Sequence, residues 1–174
     1  MRTIRQLTNN RFLNIKEVSD PKMGCKGYQF AERRGIDSVA FICYDSNTGK
    51  FLVNKEATPP LGIFLLRAFG GSLDKETSKE EIVKAEVKEE AGYKVELDDI
   101  KAVGRQFVST QMNQYCYLYL VFVSEKQKTD RAPENACEAL AKPEWKTMDE
   151  ILDEDDWKSI SIIAKAIKQG LIDG

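Results

Sequence analysis

Glu86, Glu89 and Glu90 are the residues whose type and spacing could do chemistry in this sequence. They lie in Gly71-Ser-Leu-Asp-Lys-Glu-Thr-Ser-Lys-Glu-Glu-Ile-Val-Lys-Ala-Glu-Val-Lys-Glu-Glu-Ala-Gly-Tyr93. On a helix, residues four apart stack on one face, so Glu86 and Glu90 would stand together with Glu89 adjoining Glu86 at i+3. Three like charges repel one another and weaken a bare helix, and a divalent cation reverses that sign. Oxygen-only clusters of this kind suit Mg²⁺ or Mn²⁺, hard ions that bridge to phosphate oxygens. Ile82 and Val83 fall one turn earlier, so the carboxylates border the buried face instead of opposing it. The order strand, double glycine, loop, helix, glycine, strand sets them beside a glycine-lined cleft. The plain alternative is the solvated face of a charged helix.

Other chemistries are excluded by composition. The 174 residues contain no histidine, which removes Ser-His-Asp and Cys-His nucleophiles, His-ligated zinc or haem, and any imidazole proton shuttle. Acid–base and metal chemistry must rest on carboxylates, lysines, tyrosines or cysteines. The 26 basic and 28 acidic residues nearly cancel, so neither nucleic acid nor an anionic membrane is expected as a partner. Cys25, Cys43, Cys116 and Cys137 form no C-x-x-C pair, and Cys43 and Cys116 sit in apolar runs as ordinary buried thiols. With no apolar leader and no run of membrane length, the expectation is a reduced, soluble, cytoplasmic protein.

The elements that must position the carboxylates can be read in order. Residues 1–36 hold the short stretches Arg11–Val18 and Gly27–Ala31, a β arm without a core of its own. Residues 37–174 form the main domain. Ser38–Tyr44 and Lys50–Asn54 make a hairpin about Asp45-Ser-Asn-Thr-Gly49. Thr58-Pro-Pro60 breaks the chain and Ile63–Leu66 is a further strand. Gly70-Gly71 reads as a loop, and a helix runs from the Ser78 cap to Gly92. Val103–Val108 and Tyr115–Val123 are strands, the second apolar enough to be buried on both faces. Glu125–Glu138 reads as a loop, with the next strand beginning near Pro143–Trp145. Trp157–Gln169 is a helix capped by Asp156, stopped by Gly170, with Ile160, Ile163 and Ile167 as its buried stripe. The fold class is α/β: a sandwich with a mixed sheet and a small N-terminal β arm.

The glycine and carboxylate segment resembles the Nudix box, G-x5-E-x7-R-E-U-x-E-E-x-G-U with U aliphatic or aromatic. Gly71 matches its first glycine, and Ala85-Glu86-Val87-Lys88-Glu89-Glu90-Ala91-Gly92-Tyr93 matches its second half except at the arginine. The surrounding chain is similar to the ADP-ribose pyrophosphatase branch, with Arg67-Ala-Phe-Gly-Gly-Ser-Leu-Asp in place of a Glu-x-Pro-Ala-Gly-x-x-Asp-like segment. The resemblance implies a Nudix-type α/β/α sandwich and a hydrolase that cleaves the pyrophosphate of a nucleoside diphosphate linked to another moiety. ADP-ribose or a nucleotide sugar would be the substrate and Mg²⁺ or Mn²⁺ the cofactor. It further implies Glu86 and Glu90 as the principal metal ligands, Glu89 as an additional ligand with a catalytic role, and the Gly70 carbonyl as a backbone ligand. The general base would come from a loop carboxylate, Glu138 in preference to Glu134. Arg67, Lys55 and Arg33 of the Arg33-Arg34 pair are candidates for substrate contact, each with an ordinary solvated role as the alternative. A homodimer is implied by the branch and by an arm that cannot bury itself alone.

Three departures stand against full activity. The box arginine is Ala85 and the first box glutamate is Thr77, two positions that normally pair, so losing both removes the pair without stranding a charge. Thr58 occupies the place of a substrate-facing arginine. Arg67 replaces an acidic residue. The rival expectation is therefore a catalytically impaired domain of this kind that binds a nucleotide as sensor or regulator.

Overall fold

The computed structural model describes residues 1–33, 35, 37–74 and 76–174, Cys137 by its backbone only. Strands β1 (Thr3–Gln6), β2 (Leu13–Asp20) and β3 (Cys25–Arg33) form an antiparallel sheet, the N-terminal arm. The main sheet holds β4 (Ser38–Asp45), β5 (Lys50–Thr58), β6 (Ile63–Arg67), β7 (Phe69–Ser72), β8 (Ile100–Phe107), β9 (Tyr115–Phe122) and β10 (Lys142–Lys146). Its order is β10-β5-β4-β9-β8, with β6 on β5 and β7 on β4. The β4–β9 pair is parallel and the others antiparallel, so the sheet is mixed. Helix α1 (Lys79–Glu86) runs on into a π-helical turn at Val87–Ala91, and α2 (Ala136–Leu140), α3 (Met148–Leu152) and α4 (Trp157–Lys168) follow. Among the described residues no helix is long and apolar enough to cross a membrane.

Alternation along the central strands divides the core into two layers. Val39, Phe41 and Cys43 of β4 and Tyr119 and Val121 of β9 face α1, where Ile82, Val83, Val87 and Ala91 are buried. Ala40, Ile42, Leu118 and Leu120 face the other way, onto Ile151 of α3 and Ile162, Ile163 and Ala166 of α4. Covering both faces is what makes β4 and β9 read as continuous apolar runs. Each fully buried Leu, Ile, Val or Phe contributes roughly 1.5–3 kcal/mol. The result is the α/β/α sandwich that the sequence led us to expect.

Several local expectations are corrected. Gly70-Gly71 is not a loop but the middle of β7, in register with Ala40 and Val39. A Cβ at Gly70 would lie 2.9 Å from the Val39 carbonyl oxygen, so the missing side chain is what lets the strands close. The buried residues of α4 are Ser159, Ile162, Ile163 and Ala166, an i, i+3, i+4, i+7 set. Ile160 and Ile167 flank that stripe and are only half buried. The stretch expected to be a loop over 125–138 contains the start of α2. Strand β1 and helix α3, four and five residues long, are too short to show a period; α3 is fixed by the reciprocal Thr147–Glu150 capping box.

The arm sheet ends at Arg33 and the main sheet begins at Ser38; the expected boundary residue, 36, lies outside the described residues, as does Arg34. The arm is held by the loop between β8 and β9. Ala31 N–H donates to the Gln111 carbonyl at 2.7 Å, Tyr28 Oη to the Thr110 carbonyl at 2.8 Å, and Asn113 Nδ2 to Glu32 Oε2 at 2.6 Å. Ile4, Phe12, Leu13, Met23 and Tyr28 remain exposed on it.

One buried side chain ties α4 to the sheet. Asp156 Oδ2 accepts from Ala68 N–H at 2.8 Å, Ser159 N–H at 3.1 Å and Ser159 Oγ at 2.7 Å. It therefore caps the helix and fixes the kink between β6 and β7. Asp156→Ala leaves the Ala68 amide without that acceptor. The expected cost is about 1–3 kcal/mol in chemical denaturation; a cost under a few tenths would mean that the clasp does not hold the kink.

Candidate active site

The β6–β7 kink and the glycine strand form one wall of a cleft of 360 Å³, and α1 with its π-helical turn forms another. The helix is positioned by local signals. Ser78 Oγ accepts from Glu81 N–H at 3.2 Å, and Gly92 closes the turn with φ 77°. That φ favours glycine, and a Cβ there would also meet the Thr129 carbonyl oxygen at 2.9 Å. Lys84 pairs with Glu96 at 2.8 Å and Tyr119 Oη bonds Glu80 at 3.1 Å, tying the same helix to its neighbours.

The cleft gathers Glu86, Glu90, Gly70, Gly71, Arg33, Arg67, Glu134 and Glu138. Glu89 and Lys55 do not line it. The π-helical turn explains Glu89: its wider winding rotates position i+3 away from i, while Glu86 and Glu90 both keep the cleft face. Lys55 lies one residue from Glu56 on β5, hence on the opposite face, and pairs with Glu144 at 3.8 Å. Three charged residues not foreseen as site residues also border the cleft: Glu56, Asp74 and Lys158. The signal for Glu56 was its period-two relation to Asn54, missed because the expected strand stopped at Asn54. Lys158 sits two residues past the Asp156 cap. Asp74 holds the place of the aspartate that ends the Glu-x-Pro-Ala-Gly-x-x-Asp-like segment, a signal that was not followed to a site role.

Each polar group has a definite setting. Glu90 is 7% exposed, and its Oε2 has no hydrogen-bond partner. Burial pushes its carboxyl up to about 8, and the charges of Glu86, Glu138 and Glu56 push the same way against one hydrogen bond from the Gly70 backbone. A Cβ on Gly71 would lie 2.4 Å from Glu86 Oε1, so the glycine is the cradle for that carboxylate. Arg67 pairs with Glu56 at 2.7 Å, and Arg33 donates to Ser72 Oγ at 2.6 Å. Glu138 accepts from the Glu134 N–H at 2.7 Å and from Asn135 Nδ2, so both its oxygens are oriented. Glu134 is exposed.

The donor set tests the expectation of a metal. A buried carboxylate with an orphaned oxygen, another in contact distance of a glycine, and only oxygen donors are what a hard divalent cation requires. Glu86, Glu90 and the Gly70 backbone are the groups that fit. Among the described residues, no three His, Cys, Asp or Glu side chains are drawn close enough to form a finished cage. Ala85 and the exposed Thr77 provide no ion pair to brace them.

Compared by sequence, the chain matches no family model and no curated protein. Compared by structure, it matches a solved structure described as an ADP compounds hydrolase, over 97% of this chain and 91% of that one. The TM-score is 0.68 at 13% sequence identity. Likeness at that identity establishes the fold, the α/β sandwich that the Nudix resemblance implies.

The raised Glu90 carboxyl fixes a pH dependence. The ordinary value is 4.5 and the folded one about 8, so between them the folded chain keeps a proton that the unfolded chain releases. Metal-free stability should then fall as pH rises through that window and level off above it. Glu90→Gln should flatten the slope and be the more stable protein at pH 8. Urea unfolding of both in a chelator checks this; equal slopes would remove the desolvated carboxyl as the cause.

Proposed function

We propose that this protein is a metal-dependent hydrolase of the Nudix type, cleaving the pyrophosphate of a nucleoside diphosphate linked to another moiety. ADP-ribose or a nucleotide sugar is the substrate this reading favours. The observation that carries it is the buried, unpartnered Glu90 oxygen facing a glycine-walled cleft that also presents Arg33 and Arg67. Glu86, Glu90 and the Gly70 carbonyl would hold Mg²⁺ or Mn²⁺. Glu89 is dropped from that set and Lys55 from the substrate contacts, since neither lines the cleft. A bound divalent cation would supply charge neutralisation on the phosphates.

The chain's own residues divide the remaining work. Arg33 and Arg67 donate hydrogen bonds to phosphate oxygens, Arg67 while held by Glu56. Glu138, oriented by the Glu134 amide and Asn135, accepts the proton of the attacking water. The water oxygen bonds to phosphorus, the bridging P–O bond breaks, and two phosphomonoesters leave. Glu138 is preferred to Glu134 as base because its carboxylate is held in the cleft.

Glu90→Gln is expected to lower turnover by orders of magnitude and weaken Mn²⁺ binding, and Glu138→Gln to lower kcat by about 10²–10⁴ with Mn²⁺ binding intact. Chromatography of the mononucleotide released from ADP-ribose and nucleotide sugars reads both. Full activity in Glu90→Gln would sink the proposal. The unfinished cage and the absent Ala85–Thr77 pair favour a second reading, a nucleotide-binding sensor. A raised melting temperature with ADP-ribose and no turnover would select it.

We also propose a homodimer formed through the arm, on the apolar side chains that it leaves exposed. Light scattering should return twice the chain mass; a monomer at micromolar concentration would exclude it.

A further inference from the structure

The carboxylate proposed as base stands on a weak element. Helix α2 is five residues long, too short to hold its own shape in water, so its anchorage must come from outside. One side chain supplies it from behind. Arg131 Nη2 donates to the Glu138 carbonyl at 2.9 Å and Nη1 to the Ala141 carbonyl at 2.8 Å. The planar guanidinium thus spans the C-terminal end of the helix, where carbonyls lack helical partners, and grips the backbone of Glu138 itself. Among the described residues Arg131 makes no ion pair, and its buried Nε has no acceptor. A partly desolvated guanidinium without a carboxylate is costly, and both of its bonds go to the one helix that carries Glu138.

Arg131 is in turn placed by the helix of the other carboxylates. In the π-helical turn, Gly92 and Tyr93 N–H both bond the Val87 carbonyl. The Glu89 carbonyl accepts instead from Ala132 N–H at 3.0 Å, and the Gly92 carbonyl from Thr129 N–H at 2.8 Å. The backbone is therefore stitched to the turn on both sides of Arg131. A Cβ on Gly92 would lie 3.0 Å from Arg131 Cγ, so the arginine stem passes close over the glycine. Glu89, whose side chain leaves the cleft, still serves it through its carbonyl. The turn that bears Glu90 and the helix that bears Glu138 are thus joined through one guanidinium.

We propose that Arg131 is the positioning residue for Glu138, setting the carboxylate against the Glu86–Glu90 pair without itself touching substrate. Its effect on turnover rests on the hydrolase reading, with Glu138 as base; its hold on Glu138 does not.

Hydrogen–deuterium exchange read residue by residue, together with steady-state kinetics on ADP-ribose, tests both parts. Arg131→Ala should speed exchange at the Glu134 and Ala141 amides roughly tenfold and leave the amides of α1 and α4 as they were. The Glu134 amide reports on the Glu138 carboxylate directly, since that carboxylate is its acceptor. The kcat should fall about 10²-fold, the loss that a small misplacement of a reacting group produces, with KM and Mn²⁺ binding unchanged. Arg131→Lys keeps the charge and most of the stem but lacks the fork, so it should fall between. It carries the test if Arg131→Ala does not fold. Added to Glu138→Gln, Arg131→Ala should cost nothing further, because a residue acting only through Glu138 has nothing left to place. Unchanged exchange at the two amides, faster exchange throughout the chain, or a loss that adds in full to that of Glu138→Gln overturns the proposal. Faster exchange confined to α2 in a protein that turns over nothing would keep Arg131 as the anchor and sink the hydrolase. Turnover by the parent chain, with exchange at α2 unmoved by Arg131→Ala, would do the reverse.

Discussion

Two hydrogen atoms in place of side chains, at Gly70 and Gly71, are the constraint on which the rest of this structure depends. The first lets β7 close against Val39 on the central strand, and the second leaves room for the Glu86 carboxylate. A strand with side chains at both positions would stand off β4 and push α1 outward. Phe69, immediately before them, stacks on Phe41 with ring centroids 5.2 Å apart and anchors the glycine strand to the core. Asp156 anchors its other approach through the Ala68 amide. A rigid core and one helix cap thus fix the backbone that forms the cleft wall, while the wall itself carries almost no side chain.

That geometry sets the electrostatics. With the strand close, the π-helical turn brings Glu90 into a place where water does not reach one of its oxygens. With one oxygen out of reach of water and the Gly70 backbone the one donor named for the other, burial favours the neutral acid and raises the group further than its neighbours' charges do. A cation bound at the same oxygens would compete with that proton. Stability without metal and any affinity for metal would therefore be opposite sides of one desolvated group.

The parts of this arrangement that were legible in the sequence are those encoded locally. Ser78, Gly92 and the Glu86–Glu90 spacing are short-range signals, and they located the helix and the two carboxylates that do line the cleft. The apolar run of β9 announced a strand covered on both faces. Glu89 was misplaced because a π-helical turn leaves no mark on a heptad-like pattern: one widened turn changes which residues share a face. Lys55 was set toward the substrate and Glu56 passed over because the expected strand stopped at Asn54; with β5 continuing four residues to Thr58, alternation puts Glu56 on the cleft side and Lys55 on the other. Lys158 could not be found at all, since the clasp that carries it to the cleft joins residues 88 apart in sequence.

The charges of the cleft constrain what can enter it. Glu56, Asp74, Glu86, Glu90, Glu134 and Glu138 border it, against Arg33, Arg67 and Lys158 among the described residues. A pyrophosphate entering that surplus of carboxylates meets repulsion unless positive charge comes with it. Glu56 already occupies Arg67, and Ser72 holds Arg33, so the protein's own cations do not reverse the balance. An anion and a divalent cation entering together would therefore favour each other's binding, because each would relieve the field that opposes the other. The missing Ala85–Thr77 ion pair bears on the same point. Without it the carboxylates are positioned by burial and by the glycine strand, a bracing that holds Glu90 and Glu86 while leaving Glu89 outside.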